Sequence, residues 1–307
     1  MDEPNAPTSR PLLARIFLTP DEPRLRSGWR LALQTLGLIL LLFCIGVPLG
    51  ILIALLPIEP DDTLWLVLSG VIEIFAVTVS VFLARKFLDR RSITSLGLKL
   101  DTWAAADVLA GILITFVMMG AIYLFQLALG WLAFEGFAWQ FESVQTVLSN
   151  ALLMLAVFVL VGWNEELLSR GYHLQTLASG TNLLWGVVIS SAIFGLLHHG
   201  NPNATWISDA GIFLAGLFLA SGYLTTRQLW LSIGLHIGWN FFEGFVFGFP
   251  VSGMEVHPMI HISVTGPQIW TGGAFGPEAG LVVLPGLALG TALVLFYTRF
   301  LRETIEA

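Results

Sequence analysis

Two adjacent carboxylates and an arginine follow the apolar run 152–161 in the pattern EExxxR, as Glu165, Glu166 and Arg170. Carboxylates at membrane depth are destabilising by several kcal/mol each, so a chain that keeps them there commonly uses them. Glu166 and Arg170 are four residues apart with the acid first, the better orientation for an ion pair on a helix. Glu165 points about 100° away from Glu166, toward another neighbour. The pattern alone fits an interfacial salt bridge equally well.

Two further polar pairs have the same four-residue spacing and therefore each share one face of a helix. Phe194 precedes His198, and His236 precedes Asn240, with Glu243 seven residues after His236. Three polar groups on one face of an apolar helix should face a polar interior or a water-filled cavity. The alternative is a set of hydrogen bonds between packed helices.

Together these residues supply a carboxylate base, two imidazoles and an amide. That set can activate a water molecule and stabilise an oxyanion in the hydrolysis of an acyl bond. The sequence contains no HExxH zinc motif and no serine flanked as a nucleophile. The single cysteine, Cys44, lies in an apolar run and excludes both an intrachain disulfide and a cysteine metal site. His199 is a weaker candidate on another face, and Glu73 is a further acid in an apolar run whose role stays open.

The composition is that of a membrane protein. Of the 307 residues, 56% are hydrophobic and 11% charged, and the mean hydropathy is +0.81. A soluble domain of this size would have about a quarter of its residues charged. Residues 1–27 are polar and rich in Arg and Pro, so we expect no cleavable signal peptide. The fold class expected is all-α, a polytopic membrane protein.

Apolar runs of the length needed to cross a bilayer, about 20 residues, occur eight times. We expect a cytoplasmic N-terminal segment, 1–30, and one eight-span domain, 31–302, whose motif-bearing core is 146–248. Pro57 should close the first span. The predicted spans are 31–56, 64–83, 107–133, 146–168, 183–199, 209–226, 229–248 and 279–300.

The charges of the loops support an even number of spans. Every Lys and Arg falls on one side of an eight-span chain, and the opposite loops carry acidic residues and no Lys or Arg. Under the positive-inside rule both termini are then cytoplasmic. The basic residues are Arg10, Arg15, Arg24, Arg26, Arg30, Arg85, Lys86, Arg90, Arg91, Lys99, Arg170, Arg227, Arg299 and Arg302, and the opposite acids are Glu59, Asp61, Asp62, Glu135, Glu142, Glu255 and Glu278.

The longest loop, 249–278, contains His257 and His261 at a spacing that could bind a metal on a helix. Pro258 and the surrounding turn residues disfavour a helix there, so a metal site is not expected. The roles of both histidines stay open.

The three motifs together resemble the CAAX protease and bacteriocin-processing (CPBP) family of intramembrane proteases. That family carries EExxxR, FxxxH and HxxxN on successive helices, as this chain does on its predicted spans four, five and seven. The resemblance covers about 146–248. The stretch 272–278 is similar to the tail of bacterial members, so a bacterial-type member is expected.

The resemblance implies cleavage of a peptide bond within or at the membrane. In the eukaryotic branch this is removal of the last three residues of prenylated CAAX proteins. By motif position Glu165 would be the general base, helped by His198, and His236 and Asn240 would form the oxyanion site. The residues that orient or flank this catalytic group are Glu166, Arg170, Phe194 and Glu243.

A metal mechanism uses the same residues. Glu165, His198 and His236 would form a two-histidine, one-carboxylate zinc site with an open position, as in a metalloprotease. The cofactor therefore stays open. The metal mechanism requires zinc, and the glutamate mechanism, which we prefer, requires no cofactor.

The predicted lengths of spans four and five conflict with a hairpin that brings Glu165 level with His198. If Glu165 lies level with His198, the turn centres near 181–182, about 24 Å away along the helix. We therefore expect a long fourth helix, with residues 170–182 projecting into the cytoplasm and the site in a cavity. Analogy with the family favours a cavity open to the cytoplasm.

The sequence thus predicts an intramembrane endopeptidase acting on a membrane-associated or lipidated protein or peptide. Its partners would be that substrate and the lipid bilayer, with no nucleic acid, and its location a bacterial plasma membrane. One alternative is a non-catalytic immunity or interaction protein related to bacteriocin self-protection. Another is a proton-coupled transporter, which the absence of internal repeats and of broken helix pairs disfavours.

Overall fold

The computed structural model describes residues 11–20, 22–55 and 62–302. Within these ranges the chain is a helical bundle, and the all-α polytopic fold class is confirmed. Seven described helices are long and apolar enough to cross a membrane. Five residues used above for the first span and the charge pattern lie outside the described ranges, namely Arg10, Leu56, Pro57, Glu59 and Asp61.

The helices follow the predicted spans closely at most ends. Of the helices that correspond to the eight predicted spans, the shortest is α8 (Trp230–Asn240), which continues as a wider π-helix through Phe241–Val246. The helices are α1 (Leu12–Phe17), α2 (Ser27–Leu55), α3 (Asp62–Leu83), α4 (Trp103–Ala128), α5 (Val144–Gly180), α6 (Leu183–Leu197), α7 (Trp206–Thr226), α8 (Trp230–Asn240), α9 (Gln268–Thr271) and α10 (Val283–Phe296).

Helix α8, the seventh predicted span, is the central element of the bundle. Its residues 231–240 are all buried, because α4, α5 and α7 pack around it. Glycines make the approach to α4 very close. A Cβ on Gly234 would lie 2.2 Å from the Val108 carbonyl oxygen, and one on Gly238 would lie 2.1 Å from Thr115 Oγ1. This small-xxx-small pattern lets helix backbones meet in a membrane.

A small antiparallel sheet lies at the end of the bundle opposite the basic loops. Strand β1 (Leu132–Phe137) pairs with β2 (Ile260–Val264). The predicted third span, 107–133, is therefore too long, because α4 ends at Ala128 and Gly130 turns the chain with a φ of 68°. The predicted loop 249–278 likewise contains β2 and α9.

Helix α5 confirms the long fourth helix, since it runs for 37 residues. It does not project freely beyond the bundle, because residues 170–174 are buried. Arg170 is accordingly inside the protein and not in a loop. At this end Asp89 accepts hydrogen bonds from Arg30 and, at 3.0 Å, from Arg85, so paired charges seal the basic end of the bundle.

Replacing Gly234 by alanine should destabilise the fold. The added Cβ would overlap the backbone of α4, and overpacking of this kind lowers the free energy of unfolding by about 1–3 kcal/mol. Thermal unfolding of the purified protein in detergent, followed by circular dichroism, measures the change.

Gly46→Ala is the matched control, because nothing lies within 4 Å of a Cβ built on Gly46. Alanine is favoured over glycine in a helix by about 1 kcal/mol, so this variant should be as stable as the native chain or more so. Equal decreases in the free energy of unfolding of Gly234→Ala and Gly46→Ala would contradict the close packing of α4 and α8.

Candidate active site

The EExxxR, FxxxH and HxxxN motifs meet at one point between α5, α6 and α8. Oε2 of Glu165 lies 3.8 Å from Nε2 of His198 and 3.7 Å from Nε2 of His236. These distances exceed those of direct hydrogen bonds and leave space for a small group between the atoms. The structure therefore brings together the three side chains that the sequence analysis selected.

The partner of each Nδ1 atom fixes the orientation of its imidazole ring. His198 Nδ1 lies 2.8 Å from the Phe194 carbonyl oxygen, and His236 Nδ1 lies 2.8 Å from Glu166 Oε1. Both partners accept only, so each Nδ1 carries a proton and donates it. In the neutral rings each Nε2 is then an acceptor facing Glu165. A water molecule, with two protons to donate, fits such a set of acceptors.

Glu166 is the buried anion behind this group. Its Oε1 atom accepts hydrogen bonds from Arg170 Nη1 at 2.7 Å and from His236 Nδ1 at 2.8 Å. Arg170 also donates to the Gly216 carbonyl oxygen on α7 at 2.8 Å. Its guanidinium carbon lies 4.5 Å from the centre of the Phe194 ring. Arg170 therefore links α5, α6 and α7 around one carboxylate.

Asn240 lies one helical turn after His236 and lines the same cavity. Glu243 does not join them there. It accepts a hydrogen bond from Trp239 Nε1 at 2.8 Å and is fully buried. The π-helix that begins at Phe241 has more residues per turn, which moves Glu243 off the face of His236.

A tight turn at residues 251–254 closes the site beside His198. Glu278 Oε2 accepts hydrogen bonds from the backbone nitrogen of Ser252 at 2.7 Å and from its hydroxyl at 2.9 Å. The Ser252 carbonyl oxygen in turn accepts one from Asn201 Nδ2 at 3.0 Å, three residues after His198. Burial raises the pKa of Glu278, while Ser252 and the nearby His198 and His236 oppose that rise.

The site opens into a cavity of about 970 Å³. Its walls are mostly apolar side chains of α2, α3 and α5. Toward the basic end the α5 wall stops at Leu168 and Ser169, beyond which the helix is buried. At the other end the cavity reaches Met254, which is 48% exposed, and Glu255, which is also exposed. The mouth is therefore at the end of the bundle that carries the sheet.

A zinc ion would require Glu165, His198 and His236 as its ligands. The three atoms suit it by type, but ligands about 2.1 Å from a tetrahedral ion lie about 3.4 Å apart, closer than is found here. In the described part of the chain no group of three or more His, Cys, Asp or Glu side chains has the geometry of a metal site. The arrangement fits the metal by ligand type and not by spacing.

Comparison with known families identifies the segment that carries the three motifs. Residues 147–242 match the family described as type II CAAX prenyl endopeptidase Rce1-like. This segment is similar to the Rce1-like family. The resemblance to the CPBP family is thereby confirmed, and at the family level the match supports a CAAX-type intramembrane protease. No curated protein matches the chain.

Several residues of the Rce1-like site and its surroundings were not expected from the sequence. Asn164 and Asn201 line the cavity, and Asn201 and Ser252 connect the turn to the segment after His198. Glu278 was noted only as a loop acid and as part of the stretch 272–278. A hydropathy scan could have found Asn164, as an uncharged polar residue near the end of an apolar run, whereas the other contacts join segments distant in sequence.

The other polar candidates take separate places. Glu73 lines the cavity. His199 Nδ1 lies 2.7 Å from Asp209 Oδ2, and its ring stacks on Trp206. Of the loop histidines, His257 lines the cavity and His261 packs on Phe141.

Substitution of Glu166 in the EExxxR motif should destabilise the fold far more than substitution of its neighbour Glu165. Glu166→Gln removes the charge from a fully buried ion pair with Arg170, a change of the kind that costs about 3–5 kcal/mol. Glu165→Gln is the matched control, since no hydrogen bond to Glu165 Oε2 is formed within the described residues. Thermal unfolding in detergent should show a large loss for the first variant and little for the second. The reverse order would contradict the supporting role of Glu166.

Proposed function

We propose that this chain is an intramembrane endopeptidase in which Glu165 activates water for attack on a peptide bond. The observation that carries the proposal is the convergence of Glu165 Oε2 and the Nε2 atoms of His198 and His236 on one small space. A water molecule there would donate to Glu165 and to one imidazole. Its oxygen would then face the cavity, where a substrate carbonyl can approach.

The two histidines differ in ways that fit different roles. His198 donates from Nδ1 to a backbone carbonyl, which leaves Nε2 of the neutral ring free to accept a proton of the water. His236 donates to the Glu166 carboxylate, which stabilises a second proton on the ring. With that proton, Nε2 of His236 can donate to an oxyanion, together with the side-chain amide of Asn240.

The reaction then balances within the site. Water oxygen bonds to the carbonyl carbon while Glu165 takes a proton, and the negative charge moves to the substrate oxygen beside His236 and Asn240. Collapse of this intermediate breaks the carbon–nitrogen bond. Glu165 returns its proton to the leaving amine. Glu166 and Arg170 keep His236 in place throughout.

The substrate we propose is a membrane-associated or lipidated protein or peptide. The cavity walls at α2, α3 and α5 are apolar, and the volume of about 970 Å³ accommodates a peptide segment with apolar side chains or a lipid group. The name of the matched family, a prenyl endopeptidase, is consistent with a lipidated substrate.

We further propose an orientation with the basic end of the bundle in the cytoplasm. The loops near Arg30, Arg91 and Arg227 lie at that end, whereas the sheet and the mouth of the cavity lie at the other. Under the positive-inside rule the termini are cytoplasmic and the mouth faces the opposite side of the membrane. This differs from the cytoplasmic opening that analogy with the family favours.

Removal of the proposed base should abolish peptidase activity. Glu165→Gln and His198→Ala should lower kcat by about 10²–10⁴-fold, and Asn240→Ala by about 10²–10³-fold. Substrate is first captured with Glu165→Gln in native membranes and identified by mass spectrometry. Cleavage of the captured peptide by reconstituted protein then measures the loss, with the exposed loop variant Glu142→Gln as control.

Two outcomes would contradict this mechanism. Loss of activity on chelation, with one equivalent of zinc in the purified protein and recovery on its return, would favour the metal reading. An unchanged phenotype in both Glu165→Ala and His198→Ala would favour the non-catalytic immunity or interaction protein.

The orientation predicts opposite labelling of the two ends of the bundle. In a Cys44→Ser background, a cysteine at Glu142 should react with a membrane-impermeant maleimide in intact cells. A cysteine at Arg91 should react only after permeabilisation, since both positions are exposed at opposite ends. The opposite pattern would contradict the orientation and leave the catalytic proposal unaffected.

A further inference from the structure

The cavity is lined by acids and carries no Lys or Arg among the described residues that line it. Glu73, Glu165, Glu255 and Glu278 all contribute to its surface. Glu278 is held by Ser252, which leaves the first three with side chains exposed or partly exposed. We propose that the cavity selects a substrate peptide with a cationic side chain, an inference that rests on the peptidase function proposed above.

Glu73 gives the first indication of a cationic ligand. It lies within α3, in the membrane-spanning part of the bundle, and its side chain is exposed to the cavity. No ion pair or hydrogen bond of Glu73 occurs within the described residues, and Glu165 is a second acid on the surface of the same cavity. An unpaired acid at this depth is costly unless a partner or water reaches it.

Asn164 supplies an independent indication. It is 2% exposed and lines the cavity, and its Oδ1 atom accepts no hydrogen bond from the described residues. A buried acceptor without a donor is destabilising, so a ligand that supplies donors would be favoured. Guanidinium and ammonium groups carry several donors and no acceptor.

Glu255 lies where a cationic side chain would enter the cavity. Glu255 is exposed at the mouth, and Glu73 and Glu165 lie deeper, between apolar walls. A peptide that carries Lys or Arg next to apolar residues matches both the acidic side chains and the apolar walls of the cavity. A bound metal ion matches them less well, because within the described ranges the acids do not form a cluster with metal-binding geometry.

Paired peptides test this selection. The substrate captured with Glu165→Gln is synthesised with arginine near the scissile bond and, in a second version, with citrulline, which is neutral and nearly identical in shape. Native protein in proteoliposomes should cleave the arginine peptide with the lower KM. Glu255→Gln should raise that KM by up to about fivefold and Glu73→Gln by more, because Glu73 is less screened by solvent.

The same variants should change the KM of the citrulline peptide far less than that of the arginine peptide, and 0.5 M salt should reduce the part of the arginine preference that depends on Glu255. Glu135→Gln is the matched control, since Glu135 is exposed at the same end and does not line the cavity. Thermal unfolding checks that each variant is folded.

The outcomes separate the two proposals. Equal cleavage of both peptides, or equal effects of Glu255→Gln and Glu135→Gln, would overturn the cationic selection and leave the peptidase intact. Absence of cleavage of any captured peptide by folded native protein would overturn the peptidase function itself.

Discussion

The buried carboxylate of Glu166 is the interaction on which the site depends. A buried anion without partners is strongly destabilising, so the fold must supply cations or donors from several helices. Arg170 reaches it from the next turn of α5 and His236 from α8. Arg170 also fixes α7 through the Gly216 carbonyl oxygen. Because one anion requires these partners together, its charge sets both the packing of the helices and the tautomer of a proposed catalytic ring.

Two wide turns adapt the helices to this arrangement. Helix α5 passes into π-helix directly after Glu166, and α8 does so directly after Asn240. Each π-turn changes the face that later residues present, and such turns are frequent at functional sites. In α8 the change separates Asn240, at the cavity, from Glu243, in the interior. The glycines in the preceding part of α8 pack closely against α4.

The sequence could predict interactions between residues of one helix but not those between segments that are distant in the chain. The pairing of Glu166 with Arg170 and the shared face of His236 and Asn240 depend on spacing within one helix, so both could be predicted. The fold class followed from hydropathy. The bond from Ser252 to Glu278 joins residues 26 apart through a turn, and no local periodicity indicates it. The end of α4 was missed because apolar residues continue into β1.

The charges of the site also explain how a reaction can proceed in a buried place. In the proposed mechanism the two carboxylates of Glu165 and Glu166 contribute two negative charges, which Arg170 and a protonated His236 would balance. Glu165 would then take a proton from water while the negative charge moves to the substrate oxygen, so that the total charge of the site would not change. The surrounding dipoles therefore need little reorganisation, which is the condition under which preorganised groups stabilise a transition state. A neutral base in place of Glu165 would instead create a new pair of charges in the low-dielectric interior.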